Sequence, residues 1–114
     1  MSTNEFNAPY VTTSAAAASS LVLRAKPGGV MDFYANTTTA TVWLMLVDVA
    51  AAPSNGNISA NPLMFQAQVP AGSTFTLGFD PPIAATVGAV LLASTTQYPT
   101  LTLSATCQLG GRVR

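Results

Sequence analysis

From residue 20 to the C-terminus, apolar and polar residues alternate with a period of two in short runs. This period places every second side chain on the same face of a strand, whereas an amphipathic helix repeats every 3.6 residues. The alternating runs comprise residues 21–25, 31–35, 63–69, 75–79 and 101–109. Together with their β-branched and aromatic residues, these runs predict half-buried β-strands.

Two further runs, residues 42–47 and 87–93, are apolar on both faces. They predict central strands, or strands whose outer face contacts another chain. Turn signals rich in Gly and Pro separate the runs, and the Asp-Pro-Pro sequence of residues 80–82 predicts one such turn. The seven runs predict an all-β protein, a single antiparallel β-sandwich, Ig-like or jelly-roll-like, of about seven strands.

Residues 1–19 lack the alternation and are rich in Ser, Thr and Ala. We interpret them as an extended N-terminal arm that precedes a sandwich domain of residues 20–114. At ~3.3 Å per residue the extended arm reaches on the order of 60 Å, which exceeds the radius of a domain of this size. One helical turn at residues 15–18, which are all Ala, is an alternative. The candidate partner-binding residues of the arm are Phe6, Pro9, Tyr10 and Val11.

Charged residues are scarce: among 114 residues there are four Lys or Arg, four Asp or Glu, and no His. A typical soluble domain has about 25% charged residues. The outward positions of the predicted strands carry Thr, Ser and Gln where Lys and Glu are usual, so they provide little electrostatic repulsion. We interpret this composition as a surface that contacts a partner. A surface that is merely rich in Thr is the alternative.

The same scarcity excludes several classes of partner. Four scattered basic residues cannot neutralise the phosphates of a nucleic acid or form a polybasic membrane patch. The longest apolar stretches, residues 42–47 and 83–93, are shorter than the ~18–20 residues of a membrane-spanning helix. The N-terminal sequence MSTNEF lacks the basic region of a signal peptide, so we expect synthesis in a cytoplasm.

The residue types needed for catalysis are also missing. Ser-His-Asp and Cys-His mechanisms need an imidazole, and a zinc site needs several Cys or His ligands, whereas Cys107 is the only residue of either type. The four acids lie on different segments, unlike the two close carboxylates of a glycosidase. We therefore expect a protein that is not an enzyme and that has no cofactor or metal. Cys107 is interpreted as a small buried apolar side chain.

Two features suit ligand binding. Trp43 lies within an apolar run, where core packing is the preferred interpretation and sugar stacking is the alternative. The long connection of residues 50–62 is rich in Asn and supplies candidate loop contacts at Asn55, Asn57 and Ile58.

Three stretches between Leu21 and Leu109 carry a resemblance to a known type of protein. They are LVLRAKPGGVMDFYANTTTATVWLMLVD, VPAGSTFTLGF and GAVLLASTTQYPTLTLSATCQL. This part of the chain resembles the small β-sandwich accessory proteins of tailed-bacteriophage virions, in which a PAG turn, a Thr/Phe strand and a Gly-led apolar strand recur. The resemblance covers about four fifths of the chain. It includes no catalytic motif.

The resemblance implies a structural role, because such proteins decorate or cement the outside of capsids or form appendages of heads and tails. We therefore expect a virion protein on the outer capsid surface that contacts the major capsid protein and neighbouring copies of itself as a homo-oligomer. The arm is expected to reach an adjacent capsid subunit, and repeated contacts on a fixed lattice strengthen attachment. Two alternatives are a tail or head-fibre module that binds a host glycan, through a sandwich face or the 50–62 loop, and a tail-connector protein.

Overall fold

The computed structural model describes residues 10–13, 17–37 and 40–114, and every regular element in this part of the chain is a β-strand. The strands are β1 (Tyr10–Thr13), β2 (Ser20–Arg24), β3 (Gly28–Thr37), β4 (Val42–Val47), β5 (Gly56–Asn57), β6 (Leu63–Val69), β7 (Thr74–Ala85), β8 (Ala89–Ser94), β9 (Thr100–Leu101) and β10 (Cys107–Val113). Each of the seven predicted runs overlaps at least one of these strands. The number rises to ten because β1 and β5 were not predicted and the last run is divided between β9 and β10.

Eight of these strands form two antiparallel sheets. Sheet A has the order β1-β10-β3-β7 and sheet B has the order β2-β8-β4-β6, while β5 and β9 pair with each other in a small third sheet. The prediction of an antiparallel β-sandwich is confirmed. The predicted central position of the two doubly apolar runs is also confirmed, because β4 and β8 are the inner strands of sheet B.

The main core lies between the two sheets. On β3, Phe33 and Ala35 face this core and are buried, whereas Asn36 points outward and is exposed. Phe33 is surrounded by the rings of Phe65 and Phe79, with centroids 5.5 Å and 5.8 Å away. The other buried members of this core are Leu23, Val30, Val42, Leu44, Leu46, Val69, Ala85, Ala89, Leu91, Ala93, Cys107, Leu109 and Val113.

The turn predicted at residues 80–82 is wrong, because β7 continues through it. On β7, Gly78 and Ile83 lie opposite Asp32 and Val30 of β3, so residues 79–82 form a bulge in the strand. Proline is tolerated at such a place because an edge strand and a bulge need no N–H donor there. The bulge therefore absorbs both prolines without ending the strand.

Candidate interaction surfaces

The outer face of sheet B is covered by another part of the same chain. Met45 on β4 and Leu92 on β8 face away from the main core, yet both are fully buried in a second apolar core. The segments that contain β5 and β9 cover this face with Ile58 and Leu101, and Ile58 N donates to Pro99 O at 2.8 Å. The strands are apolar on both sides because they separate two cores of one chain. A contact with another chain is not needed to explain them.

Polar contacts fix this covering layer to sheet B. The buried Ser94 hydroxyl accepts hydrogen bonds from Thr102 N at 3.0 Å and from Thr96 N at 3.1 Å. Tyr98 N donates to Gln66 Oε1 of β6 at 2.8 Å. Such bonds satisfy the polar groups that the layer buries. The layer is thus held by directed contacts as well as by apolar packing.

Trp43 and Tyr98 both belong to the second core. Trp43 is half-buried there beside the covering layer, which agrees with core packing as the preferred interpretation. The Tyr98 hydroxyl donates to Asn61 O at 2.9 Å, which anchors the 50–62 connection. Trp43 therefore does not form an open platform for a sugar ring.

The three candidate loop contacts lie in different environments. Asn55 and Asn57 are exposed, and their Oδ1 atoms accept hydrogen bonds from Leu103 N and Ser59 N, both at 2.8 Å. Ile58 is only 3% exposed. The prediction of Ile58 as a partner contact is wrong, because its side chain is buried against sheet B.

Asp48, at the end of β4, forms a buried carboxylate site. Its Oδ2 accepts hydrogen bonds from Thr86 N at 3.0 Å and Thr86 Oγ1 at 2.8 Å, and its Oδ1 accepts from Val87 N at 2.8 Å and Gly88 N at 3.1 Å. Burial alone raises the pKa of Asp48, but these donors outweigh it and lower the pKa to about 2 from an ordinary value of 3.8. The site joins β4 to the connection between β7 and β8.

The sequence provided no signal for this site. The donors to Asp48 lie 38 to 40 residues further along the chain, and Thr, Val and Gly are ordinary loop residues. An Asp at the end of an apolar run is the only local cue, and such a residue usually just ends a strand in solvent. Only the tertiary structure shows that this carboxylate is structural.

The outer face of sheet A is open. Its exposed residues include Asn36, Thr74, Thr76, Gly78, Asp80, Gln108 and Arg112. On β7, Thr74 and Thr76 alternate with the half-buried Phe75 and Leu77, as the period of two predicted. This face is therefore a flat surface of short polar side chains that the described residues leave uncovered.

An ion pair and a tyrosine mark the centre of this face. Arg112 Nε donates to Asp32 Oδ2 at 2.7 Å, and the two side chains are 49% and 30% exposed. The hydrogen bond and charge of Asp32 raise the pKa of Arg112 above its ordinary value. Tyr34 extends its ring over Gly110, where a Cβ would lie only 2.3 Å from the ring. Thr76 lines a shallow depression of about 290 Å³ beside Asp32 and Tyr34.

The two long sides of the sandwich differ. One side is closed, because Ala18 N donates to Cys107 O at 2.6 Å and β2 packs against β10. On the other side β6 and β7 are unpaired with each other, and half-buried apolar side chains fill the gap. We call this side the open edge, and its residues are Met64, Phe65, Phe75, Leu77 and Phe79.

Only part of the predicted arm lies within the described residues. Tyr10 and Val11 lie on β1, opposite Val113 and Arg112 of β10, so this part of the arm joins sheet A of its own chain. Phe6 and Pro9 lie outside the described residues, as do residues 15 and 16 of the helical turn considered at residues 15–18, whereas Ala18 forms an isolated β-bridge with Cys107.

Titratable and metal-ligating side chains are dispersed. The described residues contain no group of three or more His, Cys, Asp or Glu side chains that could hold a metal ion. Cys107 is a buried free thiol, as interpreted from the sequence, and burial raises its pKa. Among the described residues no helix has the length and apolar character needed to cross a membrane.

No protein-family model, curated protein or solved structure matches this chain. Its surfaces are therefore the observations on which a function is proposed. They are the outer face of sheet A, the open edge, and the exposed rim of the 50–62 connection.

Proposed function

We propose that this protein is a non-enzymatic structural protein of a tailed-bacteriophage virion. It decorates or cements the outer capsid surface, where it binds the major capsid protein and neighbouring copies of itself. The observation that carries the proposal is the difference between the two outer sheet faces. Sheet B is covered by its own chain, whereas the described residues leave the outer face of sheet A uncovered, with Thr, Asn and Gln side chains around the Asp32–Arg112 ion pair.

The size of this face supports attachment in many copies. Four strands spaced ~4.8 Å apart, with roughly eight residues each at ~3.3 Å, give a face of roughly 500 Å². A stable interface usually buries about 800 Å² on each partner. A single contact through sheet A is therefore weak, and firm attachment requires that each copy also contact its neighbours on the lattice.

The proposal is tested by placing a charge on the outer face of sheet A. Thr76→Arg introduces a long cation on the β7 side of the face, and Thr95→Arg makes the same change on the covering layer of sheet B, where Thr95 is also exposed. We expect Thr76→Arg to lower binding to capsids that lack this protein by tenfold or more, measured by co-sedimentation, and Thr95→Arg to leave it unchanged. Equal binding by both variants would show that sheet A is not the capsid-binding face.

The glycan-binding alternative is favoured by one observation, the depression beside Tyr34. An aromatic ring next to the Asp32–Arg112 pair combines an apolar surface with oriented hydrogen-bonding groups, which is the chemistry that sugar rings require. Exposed Asn55 and Asn57 are a second possible contact region.

A glycan array separates the two functions. Specific binding that is lost in Tyr34→Ala supports the glycan module, whereas an empty array together with a raised melting temperature of decorated capsids supports the cement protein.

A further inference from the structure

We propose that the open edge is the docking site for residues 1–9 of a neighbouring copy, which add an antiparallel or parallel strand to the free edge of β7. This inference rests on the contact between copies in the proposed function and identifies where it occurs. The open edge is the side of the sandwich on which the half-buried rings of Phe65, Phe75 and Phe79 lie between β6 and β7, which do not pair with each other. The ring centroids of Phe75 and Phe79 lie 6.0 Å and 6.3 Å, respectively, from the ring centroid of Phe65.

The β7 strand has the features of an acceptor edge. From Thr74 to Asp80 it alternates exposed residues with half-buried apolar ones, so an added strand pairs with backbone groups while its inward side chains meet the phenylalanines. The segment holds no Lys or Arg, the residues that usually protect an edge from pairing.

The position of Tyr10 favours an arm from another copy. Residues 1–9 join β1, which lies at the edge of sheet A opposite β7. A strand added outside β7 lies four strand spacings from β1, about 19 Å, and nine extended residues reach only about 30 Å. An arm that reached this position on its own copy would therefore use about two thirds of its length on the way. In an arm from a copy whose β1 lies beside this β7, all nine residues are available for pairing with β7.

The residues of the segment suit this site. In an extended strand, Phe6 and Ala8 lie on one face and Glu5 and Asn7 lie on the other. Phe6 can then enter the open edge while Glu5 stays in solvent beside the exposed Thr residues of β7. Pro9 lacks an N–H donor, which is tolerated in an edge strand.

The interface joins two different surfaces, the β1 side of one copy and the β7 side of the next. Such heterologous contacts produce closed rings or continuing arrays of copies. A chain with a weak capsid-binding face gains attachment from either arrangement, because each copy is then held at several points.

Disulfide trapping between copies of different mass tests the proposal. Asn7→Cys in an untagged chain and Thr76→Cys in a mass-tagged chain place thiols on the same face of the added strand and of β7. Native Cys107 is buried and does not compete. On mixing under mild oxidation we expect a disulfide-linked species with the summed mass. Thr95→Cys in the tagged chain is the control and should give less than a tenth of that product.

Three outcomes overturn the proposal: no linked species, equal linkage to Thr95→Cys, or a disulfide that forms only within a single chain carrying both Asn7→Cys and Thr76→Cys. A second measurement uses the full chain without cysteine substitutions. Phe6→Ser should weaken self-association by tenfold or more in native mass spectrometry, whereas Glu5→Gln should not. Because neither experiment contains capsids, copies that link as expected but fail to bind capsids contradict only the proposed function.

Discussion

The outer faces of the two sheets differ in what covers them. On sheet B, Met45 and Leu92 are fully buried because the 50–62 connection and the segment around β9 fold back over them. On sheet A, Thr74 and Thr76 occupy the equivalent outward positions and are exposed. The outer face of sheet B is one side of a second apolar core, whereas the outer face of sheet A is a polar surface. A low content of charged residues therefore does not by itself indicate that a partner covers the protein.

The comparison limits where a partner can bind. The outward apolar residues Met45 and Leu92 are buried within the chain and are not available to a partner. The remaining candidates are the outer face of sheet A, the open edge beside β7 and the exposed part of the 50–62 connection. The first two surfaces adjoin each other along β7, so one neighbouring molecule can contact both.

The largest expected effect tests whether the covering layer is a true core. Leu91 and Leu92 are adjacent on β8, are both fully buried, and face the main and the second core respectively. We expect Leu91→Ala and Leu92→Ala each to lower the free energy of unfolding by about 2–5 kcal/mol, measured by urea denaturation. Val22→Ala, at a residue that is 38% exposed, should cost less than about 1 kcal/mol. A cost for Leu92→Ala as small as that of Val22→Ala would mean that the layer is not fixed to sheet B.

The next effect concerns Asp48, which joins β4 to the connection before β8. Asp48→Asn replaces an acceptor oxygen by an NH₂ group that faces N–H donors, so we expect a loss of about 1–3 kcal/mol at pH 7. Asp80→Asn, at an exposed acid on β7, is the matched control and should have little effect. A loss in Asp80→Asn equal to that in Asp48→Asn would contradict the assigned role.

The same residue predicts a pH dependence. Because the folded-state pKa of about 2 lies below the ordinary value of 3.8, Asp48 stabilises the protein above pH 3.8, and this contribution disappears as the pH falls towards 2. The contribution amounts to about 2 kcal/mol. The difference in unfolding free energy between wild type and Asp48→Asn should therefore shrink between about pH 4 and pH 2, and a constant difference over that range would refute the shift.

A smaller effect compares two neighbouring glycines of β10 that face opposite sides of sheet A. A Cβ at Gly111 would lie 2.7 Å from Asp32 O, a backbone atom, so we expect Gly111→Ala to cost about 1–3 kcal/mol. A Cβ at Gly110 meets only the ring of Tyr34, which can rotate away, so Gly110→Ala should cost less. Thermal unfolding measures both, and the reverse order would place the rigid contact on the outer face.

The smallest effect on stability is expected for the substitutions that test capsid binding. Thr76→Arg and Thr95→Arg both change exposed residues, so each should alter the free energy of unfolding by no more than about 0.5 kcal/mol. Matching thermal melts then show that any loss of binding in Thr76→Arg comes from the surface and not from unfolding. A melt that is clearly lowered in Thr76→Arg alone would mean that sheet A needs this position for its own packing.

The strands were predictable because their signal is local. A period of two in residues 75–79 or 31–35 specifies which side chains share a face, whatever the rest of the chain does. The predictions failed where a distant partner changed the outcome. The bulge opposite β3 carries β7 through two prolines, and the run at 101–109 is divided because its first half joins the layer over sheet B.

The sequence by itself determined that this chain forms an all-β sandwich with two doubly apolar strands at the centre of a sheet, since alternation and apolar runs depend only on neighbouring residues. The tertiary structure decided what covers those strands, which carboxylate is buried, and which sheet face and which edge stay open. These features depend on contacts between residues far apart in the chain, such as Asp48 with Thr86 and Ile58 with Pro99. No local pattern encodes them, because they exist only once the sheets have packed.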